Sequence, residues 1–506
     1  MGAAQGGRLQ KAFYGSITSA IQQIVVLVCG FITSRMIIEA FGSSWNGVVS
    51  AAGRYLAIFY LVEMGVNGAT RVALYRSLAQ NDMAQTSAIM RANDLFYRKV
   101  ACGLTAYVAL LAAILPFILD SGHSTLGVAA MVTIVGLSAF AEHCWGINAR
   151  ILLTASQNVY IANIIKTCAT ILNMIALFVI IKAGGNIFNA KIGSGFVYTL
   201  APIAMFIVSR RMFKLDRNVE PDYSALKNRW NVMANSIANI VHENVGLIVL
   251  SFFVSTNEIS VFTMYFAIAA GLTRVFYVIS NGVEAAFGNL WNKGEKEVLE
   301  LNLQRFEYLL CAVAIVLFGC MIALIVPFMS IFIRVTDADY NRFSLGVVMA
   351  VSQLIMSIRN PYVLLVQAVG RYKETRNGAF AEAGINLVLT LFFVSRYGII
   401  GAMIGMGAAN LFRTIQYGYY ASKHILYKPF SLVMKRIVWT FVTFGISTFA
   451  SVLFVNRFFT GTWLSWWIVA VVTFAIQVSF LLVASLWFYR SNLLGCVELV
   501  KRLARR

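Results

Sequence analysis

Apolar stretches of about 20 residues, each long enough to cross a bilayer as a helix, recur along the whole chain, and their spacing predicts about fourteen spans. The first six cover about residues 14–40, 47–68, 100–119, 126–148, 158–182 and 188–209. The next six cover about 230–254, 258–290, 306–333, 343–368, 377–396 and 398–422, and a last pair covers about 437–455 and 463–489. One stretch breaks the pattern. At about 100° per residue, Asn228, Asn231, Asn235, Asn239, His242 and Gly246 share one face of an otherwise apolar helix. A charge at the bilayer centre costs about 2.5–3.5 kcal/mol, so His242 and Glu243 are expected to face a bundle interior or a watery cavity.

Composition strengthens this picture. The 506 residues are 59% hydrophobic and 12% charged, with mean hydropathy +0.75, which excludes an ordinary soluble domain and indicates an all-α polytopic membrane protein. Barrel strands would alternate polar and apolar positions instead. The seven cysteines show no CxxC pair or ligand spacing and read as small core residues; no metal site is expected. The apolar run near the N-terminus is too long for the core of a cleavable leader and reads as the first span.

The net charge of +20 has a topological explanation. With both termini and the even-numbered loops inside, about 29 of the 41 Lys and Arg fall on the cytoplasmic side. Nucleic-acid binding is therefore not expected. The basic loop ends are suited to membrane lipids with anionic headgroups.

Weak internal matches recur at an offset of about 212–214 residues. Val66-Asn67-Gly68 lies opposite Ser280-Asn281-Gly282, and the segment around Asn173 lies opposite that around Asn386. The repeat predicts two pseudo-symmetric six-helix bundles around a central cavity, followed by two extra helices. The expected divisions are a first bundle at 1–209, a basic connection at 210–229, a second bundle at 230–422, the additional pair at 423–489 and a basic tail at 490–506.

The chain resembles the polysaccharide-transporter branch of the multidrug/oligosaccharidyl-lipid/polysaccharide exporter superfamily, the flippases of O-antigen and related lipid-linked glycans. The resemblance rests on Gly15-Ser16-Ile17-Thr18-Ser19 and on Glu63-Met64-Gly65-Val66-Asn67-Gly68 before a basic loop. It rests also on Asn386 followed by Gly398-Ile399-Ile400-Gly401-Ala402-Met403-Ile404-Gly405. It implies a V-shaped pair of bundles with a cavity lined mainly by spans one, two, seven and eight. It implies undecaprenyl-pyrophosphate-linked oligosaccharides as substrates, moved from the cytoplasmic to the outer leaflet of a bacterial inner membrane. Other polysaccharide-assembly proteins are the implied partners.

A pyrophosphate and a glycan need a hydrated, charge-compensated path, and arginine suits it because its planar fork bonds phosphate bidentately and keeps its charge. Arg54 in span two and Arg274 in span eight lie on small or polar faces and are the leading candidates, with Lys166, Arg359, Asn235 and Asn239 beside them. Lys166, Arg359 and Arg150 fit an entry funnel on the cytoplasmic side; Arg150 and Arg413 also fit snorkelling to the interface. Glu243, His242, Glu142 and Glu63 are candidates for coupling or gating, and Arg35 and Glu39, four apart, for a pair along one helix. No GxxxxGK[ST] phosphate loop is present, so coupling to a proton or sodium ion, or simple downhill flow, is left, and no cofactor is expected. Tyr265 and Tyr277 could stack on sugar rings, but both read as core.

Two other readings remain open. A drug or cation antiporter on the same plan would favour an anionic, aromatic cavity over one with arginines. A membrane glycosyltransferase or polymerase would need catalytic acids or bases in sizeable loops, and the outward loops here are short.

Overall fold

The computed structural model describes residues 2–216, 218–226, 244–280 and 282–504. Among these residues the chain is helical, with no strand, and 11 helical segments are long and apolar enough to cross a membrane. The protein is a multi-pass membrane protein. It divides into two compact units, Met1–Ser260 and Val261–Arg506.

The first unit contains α1 (Gly2–Phe41), α2 (Ser43–Phe59), α3 (Leu61–Ala79), α4 (Met83–Ile118), α5 (Thr125–Ala141), α6 (Ile147–Ala155), α7 (Val159–Lys182) and α8 (Ile187–Met212). The described part of α9 is Asn244–Phe253. The second expected span is two helices, interrupted at Tyr60, so that α2 has only 17 residues. The polar connection expected around residues 71–99 is mostly helix. It turns at Gln80–Asp82, where the Asp82 carboxylate accepts from the Gln85 amide at 2.9 Å and starts α4. Between α5 and α6 the helix widens into one π-helical segment, Glu142–Gly146, a distortion common at functional sites.

The second unit contains α10 (Thr256–Ser280, its first turn in the first unit), α11 (Val283–Asn292), α12 (Lys296–Phe332), α13 (Phe343–Ala368), α14 (Tyr372–Tyr397) and α15 (Ile399–Tyr420). It ends in α16 (Ser431–Phe458), α17 (Trp463–Phe488) and α18 (Arg490–Ala504). The long, deeply buried α12 is its centre, packed against α13, α16 and α17. Lipid offers no hydrophobic drive between helices, so close approach and polar contacts hold them. A Cβ on Gly401 would lie 2.2 Å from the Phe393 carbonyl oxygen, and one on Gly405 2.4 Å from Thr390 Oγ1; small residues four apart let α14 and α15 touch backbone to backbone. Gln477 of α17, fully buried, accepts from Ser447 Oγ at 2.7 Å and donates to Ser451 Oγ at 3.1 Å, fastening α16 to α17.

Candidate functional site: a cationic cavity in the first unit

In the first unit an open-mouthed cavity of about 970 Å³ is lined by residues of α1 to α3 and α5 to α8. Among the described residues its charged lining is Arg71, Arg150, Lys166 and Glu142, three cations to one carboxylate. Lys166 Nζ donates to Glu142 Oε1 at 3.0 Å. Lys166 stands about 10 Å inside the start of α7, and Glu142 comes from the π-helical segment. The two side chains are 26% and 20% exposed, so the pair is only partly buried. Arg71 and Arg150 are exposed and make no ion pair among the described residues. Gln22, Asn67, Thr154 and Thr170 add neutral hydrogen-bonding groups to the wall. Among the described residues the lining carries an excess of positive charge, suited to an anionic group.

Beside it runs a polar seam between α2 and the chain from α9 to the first turn of α10. Ser44 Oγ lies 2.6 Å from Thr256 Oγ1, and Asn46 Nδ2 donates to Ser260 Oγ at 2.8 Å. Tyr55 OH lies 2.7 Å from Ser251 Oγ, and Arg54 Nη1 donates to Asn244 Oδ1 at 3.5 Å. Gly47 makes the seam possible, because a Cβ there would lie 1.8 Å from the Thr256 carbonyl oxygen.

The second unit holds a different arrangement. Arg359 Nη1 donates to Glu382 Oε1 at 2.6 Å, and Arg413 Nε lies 3.4 Å from Glu382 Oε2. Arg413 also donates to the Thr375 carbonyl at 2.8 Å, to Gln416 Oε1 and to Tyr417 OH at 3.0 Å. This cluster lies about 10–15 Å inside the ends of α13, α14 and α15. One carboxylate serves two guanidinium groups, so the cluster carries a net positive charge.

No protein-family model matches the chain, and no curated protein matches it in sequence. Solved structures do match. A structure described as lipid II flippase MurJ in an inward closed conformation is 17% identical, with TM-score 0.72, covering 95% of this chain and 99% of that one. An inward-facing multidrug resistance MATE family transporter of the MOP superfamily is 12% identical, with TM-score 0.64, covering 83% and 99%. A eukaryotic MATE transporter is 11% identical, with TM-score 0.59, covering 82% and 95%. The chain has the fold of these transporters.

Within this transporter fold the expected site residues separate. Lys166 and Glu142 meet in the cavity, with Arg150 on the same wall. Arg54 is half-buried in the seam, and Arg274 is exposed in the second unit with no ion pair among the described residues. Arg359 is held by Glu382. Asn235, Asn239, His242, Glu243 and the side chain of Glu63 lie outside the described residues. Arg35 and Glu39 pair at 2.8 Å as expected, and Tyr265 is core, its hydroxyl donating to the Tyr340 carbonyl at 2.7 Å, whereas Tyr277, also expected in the core, is 52% exposed. The expectation that Arg413 snorkels to the interface is corrected: it is 5% exposed, because Glu382 and three neutral acceptors replace its hydration.

Sequence reasoning passed over Arg71, Glu382 and the Glu307–Arg436 ion pair of α12 and α16. Glu382 and Glu307 carried a usable signal, since each is a carboxylate inside an apolar helix and must find a partner. Arg71 carried none, being one of many basic residues in a polar stretch.

Proposed function

We propose that the protein is a flippase that carries a polyprenyl-pyrophosphate-linked oligosaccharide from the cytoplasmic to the outer leaflet of a bacterial inner membrane by alternating access. The observation that carries this reading is the cavity of about 970 Å³ to which the described residues supply three cations and one carboxylate. Its size falls within the roughly 300–1,000 Å³ of ligand pockets, room for a diphosphate and its first sugars. Arg71 and Arg150 offer guanidinium forks to phosphate oxygens. Lys166, held by Glu142, joins them when Glu142 gains a proton or gives up its partner. That exchange links a coupling proton to substrate binding, with Glu243 and His242 as further carriers of coupling charge. Arg54 and Arg274 are further candidates for binding the pyrophosphate in this reading, and Asn235 and Asn239 for meeting the glycan. The full plan is fourteen spans in two six-helix bundles around a central cavity, plus an extra pair, with both termini cytoplasmic. Likeness of fold to a lipid II flippase supports a lipid-linked substrate. A cationic drug, the cargo of an antiporter reading, would be repelled by this chamber.

The test is flipping in proteoliposomes. A fluorescent undecaprenyl-pyrophosphate oligosaccharide is placed in the membrane and its outer-leaflet fraction is followed by chemical quenching. Wild type is expected to equilibrate the lipid. Lys166→Met is expected to slow it about tenfold, the low end for one lost charged hydrogen bond. Unchanged flipping in a Lys166→Met/Arg71→Gln/Arg150→Gln variant, or transport of a cationic dye without lipid movement, overturns the reading.

A further inference from the structure

A second, smaller pocket of about 210 Å³ opens in the first unit where α4, α6 and α8 meet the segment after α8. Arg91, Arg210 and Lys214 line it, and none of the three makes an ion pair among the described residues. Two carboxylates, Asp94 and Asp216, also line the pocket, so the described residues supply three cations to two carboxylates. Asp94 accepts from Asn148 Nδ2, and Asp216 Oδ1 accepts from the Asn218 amide at 2.9 Å. The Arg210 guanidinium is stacked over the Phe206 ring, 4.0 Å from its centroid, which holds it in place without neutralising it. The rest of the wall is amphipathic: Phe213 and Leu215 are apolar, and Ser209 contributes a hydroxyl.

The position of the pocket decides the ligand. Apolar sequence in α8 ends at Ser209, and Arg210, Arg211 and Lys214 follow at once, so the pocket sits where a helix leaves the hydrocarbon. Cations at that depth meet phosphate groups of lipids before anything dissolved in water, and the apolar side of the pocket matches the glycerol and upper chain of a lipid. We propose that this pocket binds the phosphate headgroup of an acidic phospholipid from the leaflet that the basic helix ends face. The site is separate from the transport cavity and does not depend on what that cavity carries. A bound lipid would tie α4, α6 and α8 together at one end of the unit.

The experiment is native mass spectrometry of the full-length protein in detergent micelles, titrated with short-chain phosphatidylglycerol, phosphatidylcholine or inorganic phosphate. Wild type is expected to bind phosphatidylglycerol in preference to phosphatidylcholine. An Arg91→Gln/Arg210→Gln/Lys214→Gln variant is expected to bind it about tenfold more weakly or less. An Arg76→Gln/Arg98→Gln/Lys99→Gln control, which removes equal charge outside the pocket, is expected to keep the preference. If the first variant does not fold, the exposed Lys214→Glu alone serves, with loss of the preference expected. The proposal is overturned if the pocket variant keeps the preference or if the control loses it equally. It is overturned as a lipid site if inorganic phosphate displaces the lipid at equal concentration.

Discussion

Replacing Glu382 tests how the second unit holds two arginines inside apolar helices. Its carboxylate lies 2.6 Å from Arg359 and 3.4 Å from Arg413, and the three side chains are only 11%, 13% and 6% exposed. With an effective dielectric of about 20, the gross attractions are about 6 and about 5 kcal/mol, and desolvation of the charges offsets most of this. Glu382→Gln removes both attractions and leaves two cations, so a loss of about 3–5 kcal/mol is expected. Arg359→Gln leaves the carboxylate paired with Arg413 and removes one charged hydrogen bond, so a loss of about 1.5–3 kcal/mol is expected. Arg413 retains Thr375, Gln416 and Tyr417, whereas Arg359 loses its carboxylate. The double variant Glu382→Gln/Arg359→Gln should therefore be more stable than Glu382→Gln alone, by about 1–3 kcal/mol. Equilibrium unfolding with sodium dodecyl sulfate in mixed micelles, followed by circular dichroism, measures all three. Equal losses for the two single variants, or additive losses in the double variant, refute the reasoning.

Gly47→Leu should force α2 from the start of α10, since even a Cβ would lie 1.8 Å from the Thr256 carbonyl oxygen. Disulfide cross-linking of a Ser44→Cys/Thr256→Cys pair should be efficient and drop sharply when Gly47→Leu is added; an unchanged yield contradicts the seam. Gln477→Leu should cost about 1–3 kcal/mol in the same unfolding assay, because Ser447 and Ser451 lose a buried partner. His123, in the turn between α4 and α5, stacks on Trp45 with ring centroids 4.0 Å apart, and burial pushes its pKa below the ordinary 6.5. A depressed histidine pKa means that the unfolded chain binds more protons, so stability is full above pH 6.5 and falls as the pH drops through the folded pKa. Thermal unfolding of wild type should weaken between pH 7.5 and 5 more than that of His123→Phe, and parallel profiles would remove His123 from the pH response.

The membrane class, the helical architecture and most helix positions follow from the sequence alone, because hydrocarbon leaves the backbone no partner but itself and a spanning helix must be a long apolar run. The Arg35–Glu39 pair was equally legible, because residues four apart on one helix are neighbours by geometry. The break of the second span at Tyr60 and the π-helical segment at Glu142 were not legible, since both leave the apolar pattern intact. Partner choice also waited for the tertiary structure. Lys166 meets Glu142 across 24 residues, Arg359 meets Glu382 across 23, and Ser44 meets Thr256 across 212. Sequence shows that a charge inside a span needs compensation. Only the packing of helices, set by where small residues such as Gly47, Gly401 and Gly405 let backbones approach, decides which neighbour supplies it.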